Sequence, residues 1–345
     1  MDESEIWWNP YRTMSYNCLF NFIIGMRGGG KTYGSLCYCV KRFIKLGEQF
    51  MYIRRYQTEL DKLTKERGGR LFKAVEREFP EYALKAESNT LYIRKKGRKE
   101  WDVLGYSQPL TTASLLKSDA FPMVTTMVFD EFIINTHGAY HYLKDEVTMF
   151  LDLYETVARG RDVRVLFLSN AVSITNPYFD FFHLNKPYNG DIQRFGKSKE
   201  ILVQNFVSQT LSETKKQSRF GSIIQDTEYS EYAYDNEWLL DNTDFIEKKN
   251  RKCYYCLTLL YNGTSIGVWY DPDNWLYYIS NDVDKQCPKI YSVTTDDHKP
   301  NVMLFQSATK IAWLKKLIDH YRNGAVRYES MKLKNWFRDI MRMAN

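Results

Sequence analysis

Eight residues, Gly25-Met26-Arg27-Gly28-Gly29-Gly30-Lys31-Thr32, fit the pattern G-x-x-x-x-G-K-[ST] at every fixed position. Glycines let successive backbone N–H groups turn inward as a concave nest, where a Cβ would obstruct them. Such a nest suits the phosphates of a nucleotide. A helix starting directly behind it would aim its positive end at the same phosphates. In this chemistry Lys31 reaches the β and γ oxygens, and the Thr32 hydroxyl holds Mg²⁺. ATP with Mg²⁺ is the predicted ligand.

Other residues could complete a hydrolytic site. Asp130-Glu131 closes the apolar run "TMVFDE". An acid at the end of a strand beside the phosphate loop binds Mg²⁺, which fits Asp130; Glu131, one residue on, is placed to orient or deprotonate a water. The plainer reading of the pair is a polar exit from a strand. Ser169-Asn170 ends another apolar run, and a polar side chain there can sense the γ-phosphate or simply open a turn. Arg54-Arg55 occupies a similar strand end. Arg159-Gly160-Arg161 lies where a helix stops. An arginine on such a corner can enter a neighbouring subunit's site, or it can merely complement the helix dipole. The turn "RKKGRK" (94–99) reads as a solvated hairpin tip rather than a nucleic-acid contact.

The elements that must carry these residues follow from periodicity. "CLFNFIIG" (18–25) reads as a buried strand, "KTYGSLCYCVKRFIKLG" (31–47) as a helix stopped by Gly47, and "QFMYIR" (49–54) as the next strand. Strand, helix, strand is a βαβ unit, because parallel strands need a crossover. Residues 69–79 look helical and are closed by Pro80; 89–106 look like a hairpin turning at Gly97. "MVTTMVFDEF" (123–132) and "DVRVLFLSN" (162–170) are further apolar strands, separated by an amphipathic helix within 142–160. Nearly all-apolar strands alternating with helices predict an α/β fold with a mainly parallel sheet covered on both faces. The segment 207–237 is polar with little period and reads as a linker subdomain. Residues 252–281 read as a three-strand meander, and helices are expected near 308–322 and 328–343.

Composition sets outer bounds. The 345 residues are 44% hydrophobic and 26% charged, an ordinary globular balance, with many aromatics (26 Tyr, 20 Phe). The apolar runs fall short of a membrane span, and the N-terminal residues lack the pattern of a signal peptide, so neither secretion nor membrane insertion is expected. Six cysteines stand at 18, 37, 39, 253, 256 and 287. The one C-x-x-C, Cys253 to Cys256, lacks a second pair or a nearby histidine and lies in an expected strand, where residues three apart face opposite ways. These thiols read as small packing hydrophobes. The net charge of +6 is uneven: Lys310 to Asn345 hold nine Lys and Arg against three acids. This basic tail suggests a polyanionic partner or a solvated helix face.

With these motifs assembled, the chain resembles the DNA-packaging (encapsidation) ATPases of small short-tailed double-stranded-DNA phages, a terminase-like family. The resemblance rests on "WWNPYRTMSYNCLFNFIIGMRGGGKTY", "RFIKLGEQFMYIRRYQTEL", "VFDEFI", "LSNAVSITNPYFDFF", "SRFGSIIQDTEY" and "YNGTSIGVWYD", in family order. It implies a P-loop ATPase domain of the additional-strand catalytic-glutamate type (1–206), a linker (207–237), and a C-terminal RNase H-like domain (238–345) without nuclease activity. It also implies a homopentameric ring that drives double-stranded DNA through the portal of a prohead, with a structural RNA in several members. The setting would be the cytoplasm of an infected host, transiently on the prohead. Carried onto this chain, Gly25 to Thr32, Arg27 included, form the phosphate loop, Asp130 and Glu131 are metal ligand and catalytic base, and Arg159 is a finger acting in trans. Lys117 aligns with a second basic residue offered across the interface. Gln57 stands where the family pattern has lysine.

Two other classes fit the residues themselves. A P-loop helicase or kinase would turn over nucleotide without proheads, and a scaffold that only binds nucleotide would not turn it over.

Overall fold

The computed structural model describes residues 6–64, 70–116, 119–135, 140–184, 192–225, 227–236 and 244–343. Two compact units emerge, Met1–Leu240 and Asp241–Asn345.

The first unit opens with α1 (Pro10–Met14), β1 (Phe20–Gly25), α2 (Lys31–Leu46), β2 (Gln49–Arg54) and α3 (Gln57–Thr64). An edge meander follows: β3 (Tyr82–Glu87), β4 (Thr90–Lys95) and β5 (Asp102–Pro109). Then come β6 (Val124–Asp130), α4 (Glu146–Ala158), β7 (Arg164–Ser169), α5 (Pro177–Phe181), β8 (Ile192–Phe195) and β9 (Ile201–Phe206). Three short helices, α6 (Gln209–Lys216), α7 (Arg219–Ile223) and α8 (Glu228–Tyr234), complete the unit. The segment read as a linker thus contributes helices to this unit.

Among the described residues, nine strands form one sheet in the order β3-β4-β5-β2-β6-β7-β1-β9-β8. The six from β5 to β9 run parallel, and only the two edges are antiparallel. One strand, β7, stands between β1 and β6. The central strands bury alternate side chains on opposite faces, as a period of two requires. Phe22, Ile24, Ile53, Phe129 and Phe167 enter the layer beneath α4 and α5. Ile23, Tyr52, Val128, Leu166 and Leu168 enter the layer beneath α2. Both faces are covered, so the strands lack polar alternation.

The stretch expected as a helix over 69–79 is instead a series of turns, with a 3-10 turn only at Glu76–Glu78. Leu71, Phe72, Val75 and Phe79 still reach the core. Closed by Pro80 and barely ten residues long, the segment is too short to sustain a helix on local bonds, and burial of these side chains sets its path.

The second unit holds β10 (Tyr254–Tyr261), β11 (Thr264–Asp271), β12 (Leu276–Ser280), β13 (Ile290–Ser292) and β14 (Met303–Leu304). It continues with α9 (Phe305–Ala308), α10 (Ala312–Arg322), β15 (Val326–Tyr328) and α11 (Met331–Met343). Its sheet order is β14-β13-β10-β11-β12-β15, with β11 antiparallel to both neighbours and β13 and β14 parallel to β10. Numbered within the unit, β12 to β14 read 3-2-1-4-5 with the second strand reversed, the RNase H-like order the resemblance implies. Leu314, Leu317, Leu333, Phe337 and Ile340 from α10 and α11 fill its core. Cys253 and Cys256 are free thiols. Among the described residues, no helix is long and apolar enough to cross a membrane.

Candidate functional site

The phosphate loop spans the end of β1 and the start of α2. Gly28 and Gly30 take φ of +69° and +84°, a left-handed backbone that costs an L side chain about 1 kcal/mol or more. Gly30 is the N-cap of α2 and no side chain caps the helix, as at anion-binding helix starts generally. Lys31 folds back into the loop. Its ammonium donates to the carbonyls of Gly25 (2.7 Å) and Met26 (3.0 Å) and to Oδ1 of Asn170 (3.0 Å). Burial lowers its pKa to about 7, with the Asp130 carboxylate opposing and Lys215 adding to the shift.

Strand parity brings the acids to this loop. Tyr52, Arg54 and Asp130 extend their strands on the α2 side of the sheet. Oδ2 of Asp130 accepts from Thr32 Oγ1 (3.0 Å), Tyr52 Oη (2.8 Å) and Arg54 Nη2 (3.3 Å). The two acids then differ sharply: the Asp130 side chain is 6% exposed, that of Glu131 58%. Glu131 has φ +61°, unusual for a residue with a Cβ, and strain of this kind collects at functional sites. Its N–H donates to Leu168 O (2.8 Å), and its carboxylate pairs with Arg54 Nη1 (2.6 Å).

Arg55 points the other way. Buried beneath α4, it makes a two-pronged pair with Glu146 (2.7 and 2.8 Å) and donates to the carbonyls of Glu131 and Phe132. Glu146 also accepts from Tyr178 Oη (3.0 Å) and the Leu143 N–H (2.9 Å). Adjacent arginines therefore grip the same turn from opposite faces.

Lys31, Thr32, Asp130, Glu131 and Asn170 thus meet at the carboxyl ends of β1, β6 and β7, where ligands bind in open α/β sheets. Arg159 does not join them. It caps α4, whose thirteen residues carry it about 20 Å from Glu146, toward the amino ends of the strands. There its exposed guanidinium donates to the Asp119 carbonyl (2.6 Å). Arg161 is committed locally, with donations to the carbonyls of Phe121, Pro122, Val124 and Val157. Lys117 lies outside the described residues.

A family model described as podovirus DNA encapsidation protein (Gp16) matches residues 1–345. The chain belongs to that family. It is 37% identical over 343 residues to the DNA packaging protein of Bacillus phage phi29, covering 99% of this chain and 98% of the relative. Its fold is similar to a chain of the bacteriophage phi29 genome packaging motor assembly, with TM-score 0.78 and 36% identity over 99% of this chain and 100% of that one. It is also similar to the crystal structure of the N-terminal domain of the phi29 DNA packaging ATPase (TM-score 0.51, 39% identity, 59% of this chain and 97% of that one).

Within this family member, Thr32 and Asp130 offer hard oxygen donors 3.0 Å apart. That pair fits Mg²⁺, which keeps several waters and takes only one or two protein oxygens beside phosphates. Among the described residues, no cluster of three or more His, Cys, Asp or Glu could hold a metal by itself. The fit is to an ion that arrives with a nucleotide.

Sequence reasoning missed several neighbours of the site. Tyr52 sits mid-strand in an apolar run, and only its parity with Asp130 could have singled it out. In the sequence Arg54 is only a basic strand end; its tie to both acids exists only in the folded chain. Trp7 packs over Gly30 beside an aromatic hollow of about 190 Å³ that Tyr11, Tyr38 and Lys41 help to line. A flat ring surface there is the kind on which a nucleobase stacks. Lys215 was hidden in a segment read as a linker.

Proposed function

We propose that this chain is the ATP-hydrolysing subunit of a ring motor that drives double-stranded viral DNA into a prohead. The observation that carries the reading is the meeting of Lys31, Thr32, Asp130, Glu131 and Asn170 around one phosphate loop, in a chain of the encapsidation family. The motor assembly and packaging proteins it is similar to supply the setting: DNA, a prohead with its portal, and neighbouring copies.

Lys31 leaves the loop carbonyls for the β and γ oxygens of ATP, and Asn170 follows the γ-phosphate. Thr32 and Asp130 hold Mg²⁺, which when bound offsets the phosphate charge. Glu131, exposed and free to turn once parted from Arg54, orients the attacking water and accepts its proton. Arg159 of a neighbouring copy neutralises charge developing on the γ-phosphate. The ring is taken to be a pentamer.

The C-terminal domain (238–345) is proposed to lack nuclease activity. Two of its acids are spent on turns. Asp271 accepts from the Asp273 N–H (2.9 Å) and the Asn274 side chain (2.9 Å), and Asp297 accepts from the N–H groups of Asn262 (2.9 Å) and Gly263 (2.7 Å). Its exposed Lys315, Lys316 and Arg322 on α10 form a candidate surface for a packaging RNA or the portal. Charge reversal at these three residues should weaken prohead binding; unchanged binding counts against that surface.

The deciding experiment is ATP hydrolysis by the full chain with and without double-stranded DNA and proheads. Turnover should need all components, fall to background in Lys31→Ala, and vanish in Glu131→Gln while ATP binding persists. Turnover indifferent to proheads, accompanied by strand separation, would favour a helicase; no turnover under any condition would leave a nucleotide-binding scaffold.

A further inference from the structure

Two adjacent lysines end α6 and behave differently. Lys216 is ion-paired with Asp235 at 2.6 Å. Lys215 has no carboxylate partner among the described residues. Its ammonium donates to the carbonyl of Arg27 in the phosphate loop and sits 5.9 Å from the Tyr234 ring. A Cβ added at Gly28 would meet that ammonium at 3.1 Å. Lys215 therefore lies against the crown of the nest, close enough to Lys31 to depress the latter's pKa.

Its placement is fixed by the segment around it. Ser208 caps α6 through the Leu211 N–H (3.3 Å). Gly221 lets α7 fold across the helix end, since a Cβ there would fall 2.1 Å from the Lys215 carbonyl. From α8, Tyr229 Oη accepts from the Arg27 guanidinium (3.4 Å), and the Tyr232 hydroxyl is hydrogen-bonded to Asn170. Two helices of one segment thus touch the phosphate loop, and one of them touches Asn170, which Lys31 also holds.

The charge pattern is lopsided. Arg27, Lys31 and Lys215 converge on one loop, and both nearby acids, Asp130 and Glu131, are shared with Arg54. Cationic groups crowded together repel, and a peptide carbonyl compensates an ammonium poorly. A polyphosphate would relieve the repulsion and supply charged acceptors in place of the Arg27 carbonyl.

We propose that Lys215 is a second phosphate-binding lysine of the nucleotide site, carried by the helical segment 209–236, so that the stance of this segment depends on the phosphates bound. The inference rests on the ATPase reading above and adds to it a residue and a moving part. ATP draws Lys215 inward and holds α6 and α8 against the loop. Loss of the terminal phosphate weakens that hold.

The test compares binding of MgATP, MgADP and AMP to the full chain, as wild type, Lys215→Met and Lys215→Arg. Lys215→Met keeps the apolar stem and should weaken MgATP about tenfold or more, as loss of one charged hydrogen bond does. AMP binding and the melting temperature without nucleotide should not change, and Lys215→Arg should restore most of the MgATP affinity. MgATP should also slow amide exchange across 209–225 in the wild type but not in Lys215→Met. Equal weakening of all three nucleotides, or none, would show that Lys215 only staples the helix to the loop and overturns the inference. A wild-type chain that binds no MgATP at all overturns the ATPase reading itself, a separate outcome.

Discussion

The guanidinium of Arg54 lies 2.6 Å from the Glu131 carboxylate and 3.3 Å from that of Asp130, so one arginine serves both acids. A carboxylate tied to an arginine is not free to turn toward an attacking water, because the ion pair fixes its orientation and occupies an acceptor oxygen. Arg54→Ala should therefore raise ATP turnover in the absence of DNA, on the order of tenfold. Steady-state phosphate release measures it. A fall in turnover with ATP binding intact would assign Arg54 a direct part in catalysis instead.

Arg55 and Glu146 form a different kind of pair. Their side chains are 1% and 0% exposed, so removing either partner strands the other without water. Glu146→Leu or Arg55→Met alone should destabilise the first unit by about 3–5 kcal/mol. The double variant should recover part of that loss, since neither charge is left unpaired. Urea unfolding followed by tryptophan fluorescence gives the three values. Single variants within about 0.5 kcal/mol of wild type would be typical of surface substitutions and would sink the claim that this pair holds the Glu131 turn.

The same two arginines show what one dimension hides. "RRY" reads as a basic strand end. Only strand parity separates Arg54, facing the phosphate loop, from Arg55, facing α4, and parity matters only once the sheet is known to be covered on both faces. The strands carrying Gly25, Asp130 and Ser169 were legible because each ends in an apolar run, Phe22–Ile24, Met127–Phe129 and Val165–Leu168, closed at once by a functional residue. β9 was not, because "ILVQNF" breaks its run with Gln204 and Asn205. Gln204 accepts from Trp8 (3.0 Å) and Thr13 (2.7 Å), and Asn205 accepts from Asn236 (2.6 Å). Buried polar residues with distant partners look like loop residues in a sequence. The segment 207–236 misleads in the same way: it is polar partly because it faces a charged loop.

Lys31 supplies a pH signature. With its pKa lowered to about 7 by burial, its side chain is mostly neutral at pH 8. A bound triphosphate favours the ammonium and raises that pKa, so MgATP binding at pH 8 should take up close to one proton. The sign follows from linkage, since the bound state carries the extra proton wherever its pKa is the higher one. Apparent affinity should fall as pH rises from about 7 toward 10. Calorimetric binding enthalpies in buffers of different ionisation enthalpy report the uptake. Enthalpies independent of the buffer would mean that Lys31 is already charged in the free protein.

Arg159 gives the sharpest test of assembly, because its own site is beyond its reach. It ends α4 about 20 Å from Glu146, and the acids and phosphate loop lie at the other end of the crossover. If it serves a neighbour, Arg159→Ala leaves a sound pocket without a finger, and Lys31→Ala leaves a sound finger without a pocket. Either variant alone should be inactive on proheads, the first by a factor on the order of 10³ or more. Mixed before assembly, they form interfaces in which an intact pocket faces an intact finger, and part of the hydrolysis should return. Recovery should peak near equal proportions and be absent when the two substitutions sit in one chain. Mixtures as silent as the separate variants would return Arg159 to the simpler office of complementing the α4 dipole.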